Sequence, residues 1–118
     1  MHTRDDIFAY AKKNFDANPD YPFEKFPHYA VLRHSGSEKW FALVMLVPRS
    51  KLGIDGDGDV EVIDVKVNPD KLAQLRKRDG ILPAYHMNKE HWITILLDGP
   101  VSRADIHSLL HESYELTS

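Results

Sequence analysis

The first and last segments of the chain repeat apolar residues at the spacing of a helix. The first segment begins with a capping pair, Thr3 and Asp6, and a helix is predicted over Asp5 to Asn14. The last segment begins with a similar pair, Ser102 and Asp105. Its stripe consists of Ile106, Leu109, Leu110 and Ser113 or Tyr114. Each segment is therefore predicted to be a helix that lays one face on a core.

A helix is also predicted in the middle of the chain, after the triplet Asn68-Pro69-Asp70. These residues provide an N-cap, a proline at the first helical position and an acid in the first turn. Gly80 follows the cationic run Arg76-Lys77-Arg78, and cations favour the negatively polarised end of a helix. Both ends of this helix are therefore marked, and we expect it to reach as far as Gly80.

Five segments between turn residues are rich in apolar and β-branched side chains, as strands are. They are Tyr29 to His34, Lys39 to Val47, Val60 to Val67, Ile81 to Tyr85 and Trp92 to Leu97. The turn Ser35-Gly36-Ser37 joins the first two into a hairpin, and the polar stretch Lys51 to Asp59 precedes the third. The proline-rich stretch Asp16 to Pro27 is predicted to be a loop that its aromatic residues pin to the core.

The predicted elements follow the order α-β-β-β-α-β-β-α. Strands joined by hairpins, with the helices on one side, are typical of an α+β two-layer sandwich built on an antiparallel sheet. The 118 residues contain no repeat and no linker, so we expect a single domain over residues 1–118. The sheet face without helices would then be an open surface for a partner.

Composition narrows the classes of function. Fifteen Lys and Arg against eighteen Asp and Glu give a net charge of −3, which argues against bulk electrostatic binding of nucleic acid and leaves local basic patches. The chain has no cysteine, so thiol chemistry and disulfides are excluded. Its start lacks the pattern of a signal peptide, and no apolar run reaches about 18 residues. We therefore expect a cytoplasmic protein with no membrane association.

Motifs for metals, cofactors and catalysis are incomplete. The run Asp55 to Asp59 alternates carboxylates as a calcium loop does, but it lacks the turn glycine and the bidentate glutamate, so an Asp-Gly turn is favoured. His107, His111 and Glu115 share a helix face without the glutamate of a zinc-protease helix, and we interpret them as surface residues. A nucleophile elbow and phosphate-binding loops are missing. We expect no catalytic residue, metal or cofactor.

One cationic set keeps two interpretations open. The segment Lys71 to Arg78 contains four cations and no acid. These cations are Lys71, Arg76, Lys77 and Arg78. They either complement the end of the helix or contact the phosphates of a nucleic acid.

The segment Tyr85 to Trp92 also has two interpretations. In the first, Asn88 caps a short helical turn to which His91 bonds back, and Trp92 anchors the following strand in the core. In the second, the segment is a recognition patch with Tyr85 and Trp92 as apolar platforms. The hydrogen-bond donors of that patch would be His86, Asn88, Lys89 and His91.

Three segments near the end of the chain resemble the C-terminal signature of the MmcQ/YjbR family: Pro83 to Thr94, Leu97 to Gly99, and Ile106 to Leu110 with the following Ser113-Tyr114. The resemblance is close over the C-terminal third, while the earlier part is similar in the order and length of its elements. The positions typical of the family are Tyr85, His86, Asn88, Lys89, His91 and Trp92.

The resemblance implies an α-β(3)-α-β(2)-α sandwich related in shape to secretion chaperones and often compared with frataxin-like proteins. Members of the family are bacterial proteins, and they are often labelled DNA-binding because of a proposed double-wing likeness to a phage transcription activator. The family supplies no catalytic residues to carry over. The long loop before Val60 lies outside the signature.

Three hypotheses follow. The first is a small DNA-binding domain whose strand hairpins act as wings and whose phosphate contacts are Lys71, Arg76, Lys77, Arg78 and Lys89. The second is a protein-interaction or adaptor module that uses the chaperone-like sandwich and the aromatic region of Tyr21, Phe23 and Phe26. The third is an enzyme or a small-ligand binder with a concave pocket beside Tyr85, His86 and His91.

Overall fold

The computed structural model describes residues 3–118 and contains the predicted order of helices and strands. The elements are α1 (Arg4–Phe15), β1 (Ala30–Arg33), β2 (Trp40–Pro48), β3 (Asp59–Lys66), α2 (Leu72–Arg76), β4 (Ile81–Pro83), β5 (Trp92–Leu96) and α3 (Arg103–Thr117). Two short 3₁₀ turns, Arg49–Leu52 and Pro69–Lys71, follow β2 and precede α2. The α+β prediction is therefore confirmed.

The five strands form one antiparallel sheet in the order β1-β2-β3-β5-β4. The last strand of the chain, β5, thus lies between β3 and β4. Because every pair is antiparallel, residues in register form straight rows across the sheet. The central row of one face consists of Val31, Leu43, Asp64, Thr94 and Leu82. An acid therefore occupies the middle of this row, with a threonine beside it and apolar residues at the other three positions.

All three helices pack on the face opposite this row. The caps predicted for the outer helices are present: the Thr3 hydroxyl accepts the amide proton of Asp6 at 3.3 Å, and the Ser102 hydroxyl accepts that of Asp105 at 3.1 Å. Apolar side chains of the helices meet the sheet in one buried cluster. Its largest fully buried members include Phe41, Ile7, Leu32, Ile63, Ile93, Ile106 and Leu110. This layer supplies the main core, and it leaves the other face to loops.

The helix-free face of the sheet is not open, contrary to our expectation. Three loops cover parts of it: residues 16–29, residues 49–58 and residues 84–91. Side chains from these loops and from the strand ends pack on a second buried cluster, and they are Phe23, Trp40, Leu52, Ile54, Tyr85, Met87 and Leu96. We call residues 16–29 the aromatic loop and residues 84–91 the signature loop. Apolar loop residues thus replace the missing helix layer.

The aromatic loop is attached to the edge of the sheet through Asp20, in addition to the packing of Phe23 on the core that the sequence predicts. Asp20 and Val31 exchange two backbone hydrogen bonds, at 3.0 and 2.8 Å. The Asp20 carboxylate also pairs with Arg33 of β1 at 2.8 Å. These contacts fix the start of the loop, from which its rings reach over the sheet face.

The middle helix is shorter than we predicted. Asn68 caps its start as expected, accepting the amide proton of Asp70 at 3.0 Å. The first turn is 3₁₀, however, and the α-helical part ends at Arg76 rather than near Gly80. Gly80 turns the chain into β4 with a φ of 89°, a conformation that favours glycine. The basic residues after Arg76 therefore lie in a turn and not on a helix.

Candidate functional site

The signature loop is built around Asn88. Its side-chain oxygen accepts the amide proton of Glu90 at 2.7 Å, and its carbonyl accepts those of His91 at 3.2 Å and Trp92 at 2.9 Å. Trp92 is 8% exposed and begins β5. These contacts agree with the first interpretation of the segment, in which Asn88 caps a short turn and Trp92 anchors β5. His91 bonds back to Asn88 through its backbone N–H, and its side chain is exposed.

A cleft lies between the aromatic loop, β2 and the signature loop. It has a volume of about 220 Å³. We call it the aromatic cleft, and it is lined by Phe23, Phe26, Tyr29, Trp40, Leu43, His86 and Met87. Leu43 comes from the central row of the sheet, so the cleft stands on the helix-free face.

The rings of the aromatic cleft hold one another in place. Phe26 and Tyr29 are stacked with their centroids 4.6 Å apart. Phe23 makes edge contacts with Tyr29 at 6.1 Å and with Trp40 at 5.8 Å. His86 approaches Tyr29 edge-on at 5.8 Å. Offset and edge-to-face contacts of this kind stabilise an aromatic cluster beyond its buried area, so the wall is preformed.

His86 has an unusual backbone. Its φ of 71° lies in the left-handed region, which residues other than glycine rarely adopt. The same residue points an exposed ring at the rim of the aromatic cleft. Such backbone strain is often retained at binding sites. Of the signature positions, His86 is the one that lines the aromatic cleft.

Asp64 is buried in the sheet beneath this region. Its side chain is fully buried, and it accepts a hydrogen bond from the Thr94 hydroxyl at 2.5 Å. Within residues 3–118, no partner lies within hydrogen-bond distance of its second oxygen, Oδ2. Burial raises the pKa of Asp64 to about 8, although the Thr94 bond and the charge of Lys89 both act to lower the pKa. A neutral acid therefore sits next to Leu43, the residue at the base of the aromatic cleft.

A second cleft adjoins the first. Its volume is about 390 Å³. We call it the lysine cleft, and it is lined by Lys39, Trp40, Lys66, Met87, Trp92, Leu116 and Thr117. Trp40 and Met87 line both clefts, so the two clefts lie side by side. Both tryptophans of the protein belong to the lysine cleft.

The cationic set is partly neutralised by α3. Lys71 pairs with Glu112 at 3.1 Å, and Arg78 pairs with Asp105 at 2.8 Å. The Arg76 guanidinium donates a hydrogen bond to the carbonyl oxygen of Lys89. The fold therefore brings α2 and the signature loop together at Arg76 and Lys89, as the DNA-binding hypothesis needs. Of the five phosphate contacts in that hypothesis, however, Lys71 and Arg78 are paired with acids.

The histidines of α3 engage neighbouring side chains. His107 lies 3.2 Å from the Asp6 carboxylate and stacks on Tyr10 with a centroid separation of 4.1 Å. His111 lies 3.1 Å from Glu115. Among residues 3–118, no group of three metal-binding side chains is assembled. His111 is exposed, as interpreted from the sequence, whereas His107 is half-buried against α1.

Sequence reasoning missed part of the lining of the two clefts and the buried acid beneath them. The sequence pattern assigns Trp40 and Lys66 to strands without a role and does not single out Asp64. A signal was present for Asp64, since it is the single acid within the β-branched run Val62 to Val67. An acid flanked by β-branched residues of a central strand is a candidate for burial, and a buried carboxyl with a shifted pKa is a common feature of binding sites.

Comparisons with known proteins identify relatives along the whole chain. The YjbR family model matches residues 13–116. The chain is 44% identical over 117 residues to the uncharacterized protein YyaQ of Bacillus subtilis, covering 99% of both chains. It is 33% identical over 54 residues to the uncharacterized protein YjbR of Escherichia coli K12, which is 45% of this chain and 46% of that protein.

Solved structures share the fold. A crystal structure of a Pseudomonas syringae protein matches with a TM-score of 0.96 and 55% identity, covering 98% of this chain and 99% of that one. The Deinococcus radiodurans protein DR2400 matches with a TM-score of 0.75 and 28% identity, covering 98% and 78%. Within the described residues, no helix has the length and apolar composition needed to cross a bilayer.

Proposed function

The chain belongs to the YjbR family, and we propose that it is a binding protein whose aromatic cleft holds a small molecule with a flat apolar body. The observation that supports this proposal is the cleft itself, a concave site of about 220 Å³ in which four aromatic rings and a histidine surround an aliphatic base. Small-molecule sites are typically concave and mostly apolar, with a few polar groups at fixed places.

The lining favours a flat ligand over a branched one. Rings from the aromatic loop, β2 and the signature loop enter the cleft from different sides. A flat ring system gains both apolar burial and offset or edge contacts with such walls. Phe26, which is 47% exposed, lies at the solvent side and would lose exposed apolar area when the cleft is filled.

The experiment is a fluorescence titration of the full chain with N-phenyl-1-naphthylamine, an uncharged dye that brightens in apolar sites. We expect saturable binding to the folded protein, weakened at least fivefold by Phe26→Ala. Tyr21→Ala is the matched control, because Tyr21 is 50% exposed in the same loop but does not line the cleft. Binding that is absent, or is equally weak in both variants, would refute the proposal. Phe26-dependent self-association in sedimentation, without dye binding, would instead support the protein-interaction hypothesis.

DNA binding is a second candidate, and one contact favours it. The Arg76 hydrogen bond to Lys89 joins two parts of the predicted phosphate-binding set that are 13 residues apart in the chain. Lys77 and Lys89 are exposed beside this contact. The net charge of −3 and the ion pairs of Lys71 and Arg78 weaken the candidate, because DNA affinity depends on free cations.

Isotope-labelled protein titrated with a short mixed-sequence duplex at low and at higher salt tests this second candidate. If DNA binds, the amide signals of Lys71 to Arg78 and His86 to Trp92 shift together and recover as salt rises. Lys77→Ala with Lys89→Ala should weaken binding and lower the salt dependence by about two units of slope. Lys13→Ala on α1 serves as the control. Signals that do not move at low salt would exclude DNA for this chain.

A further inference from the structure

We infer that the ligand of the aromatic cleft is an organic anion, whose carboxylate or sulfonate group is held by Lys39 and Lys66 of the lysine cleft. The inference rests on the proposed function, since it places the apolar body of the same ligand in the aromatic cleft. It adds the chemical class of that ligand. The two clefts together form one amphipathic site.

The position of the two lysines supports the inference. Lys39 directly precedes Trp40, the ring that both clefts share, and Lys66 is in register with Trp92 across β3 and β5. Both lysines and both tryptophans therefore line the lysine cleft, at the same end of the sheet. A ligand lying along Trp40 and Met87 would have its body among the rings and its polar end between the lysines.

The charge of the lining supports an anion. Lys39 and Lys66 are the charged residues that line the lysine cleft, and no carboxylate lines it within the described part of the chain. In residues 3–118, neither lysine takes part in an ion pair, whereas Lys71 and Arg78 do. Lys66 is half-buried, so its charge is less screened by water than that of a fully exposed lysine. An unpaired, partly desolvated cation gains most from an anionic ligand.

The rest of the lining limits the anion to a small one. The other wall residues are two tryptophans, a methionine, a leucine and a threonine. A nucleic-acid backbone needs a continuous row of cations, and this site offers two. A single anionic group on an aromatic or aliphatic body satisfies both lysines and both clefts.

Two dyes with the same aromatic body test the inference. N-Phenyl-1-naphthylamine is uncharged, and 1-anilinonaphthalene-8-sulfonate carries one sulfonate. We expect the full chain to bind the sulfonate at least fivefold more tightly at low salt, and this preference should shrink as salt rises while the affinity for the uncharged dye stays constant.

Substitution of the lysines locates the effect. The double variant Lys39→Gln with Lys66→Gln should lose the preference for the sulfonate and keep its affinity for the uncharged dye. The control, Lys13→Gln with Lys51→Gln, removes the same net charge at exposed positions that line neither cleft, and it should keep the preference. The indole N–H signals of Trp40 and Trp92 are the two indole signals of the protein, and both should shift on binding. Cooperative urea unfolding of each variant establishes that the dyes bind folded protein.

The outcomes separate the inference from the proposed function. Equal affinity for the two dyes, or a preference that survives loss of both lysines, overturns the inference and leaves the aromatic cleft as a binding site. Binding of either dye that does not respond to Phe26→Ala overturns both.

Discussion

Asp64 and Thr94 face each other across β3 and β5, and the threonine hydroxyl donates its proton to the buried carboxyl. The same hydroxyl oxygen accepts the backbone N–H of Tyr85 at 2.8 Å. Thr94 therefore connects the acid at the centre of the sheet to the first turn of the signature loop. This connection makes the charge of Asp64 important for both the stability of the sheet and the position of the loop.

The contribution of Asp64 to stability should fall as the pH rises from about 4 to about 8. The pKa of Asp64 in the folded protein is about 8, above its ordinary value of 3.8, so the folded state holds one more proton than the unfolded chain between these values. This contribution to stability is complete below pH 4 and is lost as the pH rises through 8. Asp64 alone lowers the free energy of unfolding by up to roughly 1.4 kcal/mol per pH unit within the window. Urea unfolding at several pH values measures it.

Asp64→Asn stays neutral at every pH and should therefore be more stable than the parent chain above pH 8, with a flatter profile between pH 4 and pH 8. Asp57→Asn removes the same charge from an exposed loop and is the control. A profile for Asp64→Asn that parallels the parent profile would contradict the argument.

Replacing His86 should separate backbone strain from ring contacts. His86→Gly relieves the left-handed backbone at a φ of 71°, while His86→Ala keeps most of the strain and loses the same ring. We expect the glycine variant to be more stable than the alanine variant by about 1 kcal/mol. Both should bind N-phenyl-1-naphthylamine more weakly, because the rim of the aromatic cleft is lost. Alanine and glycine variants of equal stability would show that the strain has no energetic weight.

Ser113 should be a strong point of attachment between α3 and the sheet. Its buried hydroxyl donates to the Phe41 carbonyl at 2.6 Å and accepts the Lys66 amide proton at 2.9 Å. Ser113→Ala leaves both backbone groups without this partner and should cost about 2 kcal/mol in urea unfolding. Ser108→Ala, at an exposed position of the same helix, should change stability by less than about 0.5 kcal/mol. Similar losses in the two variants would argue against a special role for Ser113.

Gly80 and Gly36 differ in what surrounds them, although both have positive φ values, 89° and 92°. A Cβ atom at Gly80 would lie 2.8 Å from the Cδ atom of Pro100, whereas a Cβ at Gly36 would meet open space. We expect Gly36→Ala to cost about 1 kcal/mol from backbone strain. Gly80→Ala should cost about 2 kcal/mol or more, since overpacking adds to the same strain. Equal melting temperatures for the two variants would contradict the steric argument.

Local signals in the sequence were sufficient for much of the fold. The capping residues Thr3, Asn68 and Ser102 were identified correctly because a cap depends on residues within one turn. The length of α2 was overestimated, because the cations after Arg76 resemble a helix end whether or not the helix continues. The covered sheet face was missed for a different reason. Its cover consists of loops, and loops have no periodicity from which contacts can be predicted.

The candidate site could be predicted only in part. The signature positions indicated where His86 and Trp92 would matter, and Phe23 and Phe26 were recognised as rings that need cover. Trp40 and Lys66 belong to β2 and β3, which are distant in sequence from the signature loop. Only the register of the sheet brings these two residues beside that loop. Long-range register follows from the packing of the whole chain, so no short motif records it.

The sheet order has a consequence for the order in which the chain acquires structure during synthesis. β1, β2 and β3 emerge first and can pair as a three-stranded meander, but β4 emerges before β5, the strand with which it pairs. Until β5 leaves the ribosome, the growing chain therefore presents an unpaired edge of β3, and exposed edges promote aggregation. Insertion of β5 completes the backbone hydrogen bonding of β3 and β4 at the same time. The helix α3 then covers the face of the sheet opposite the loops. The sheet is therefore completed only after β5, the last of its five strands in the chain, has been made.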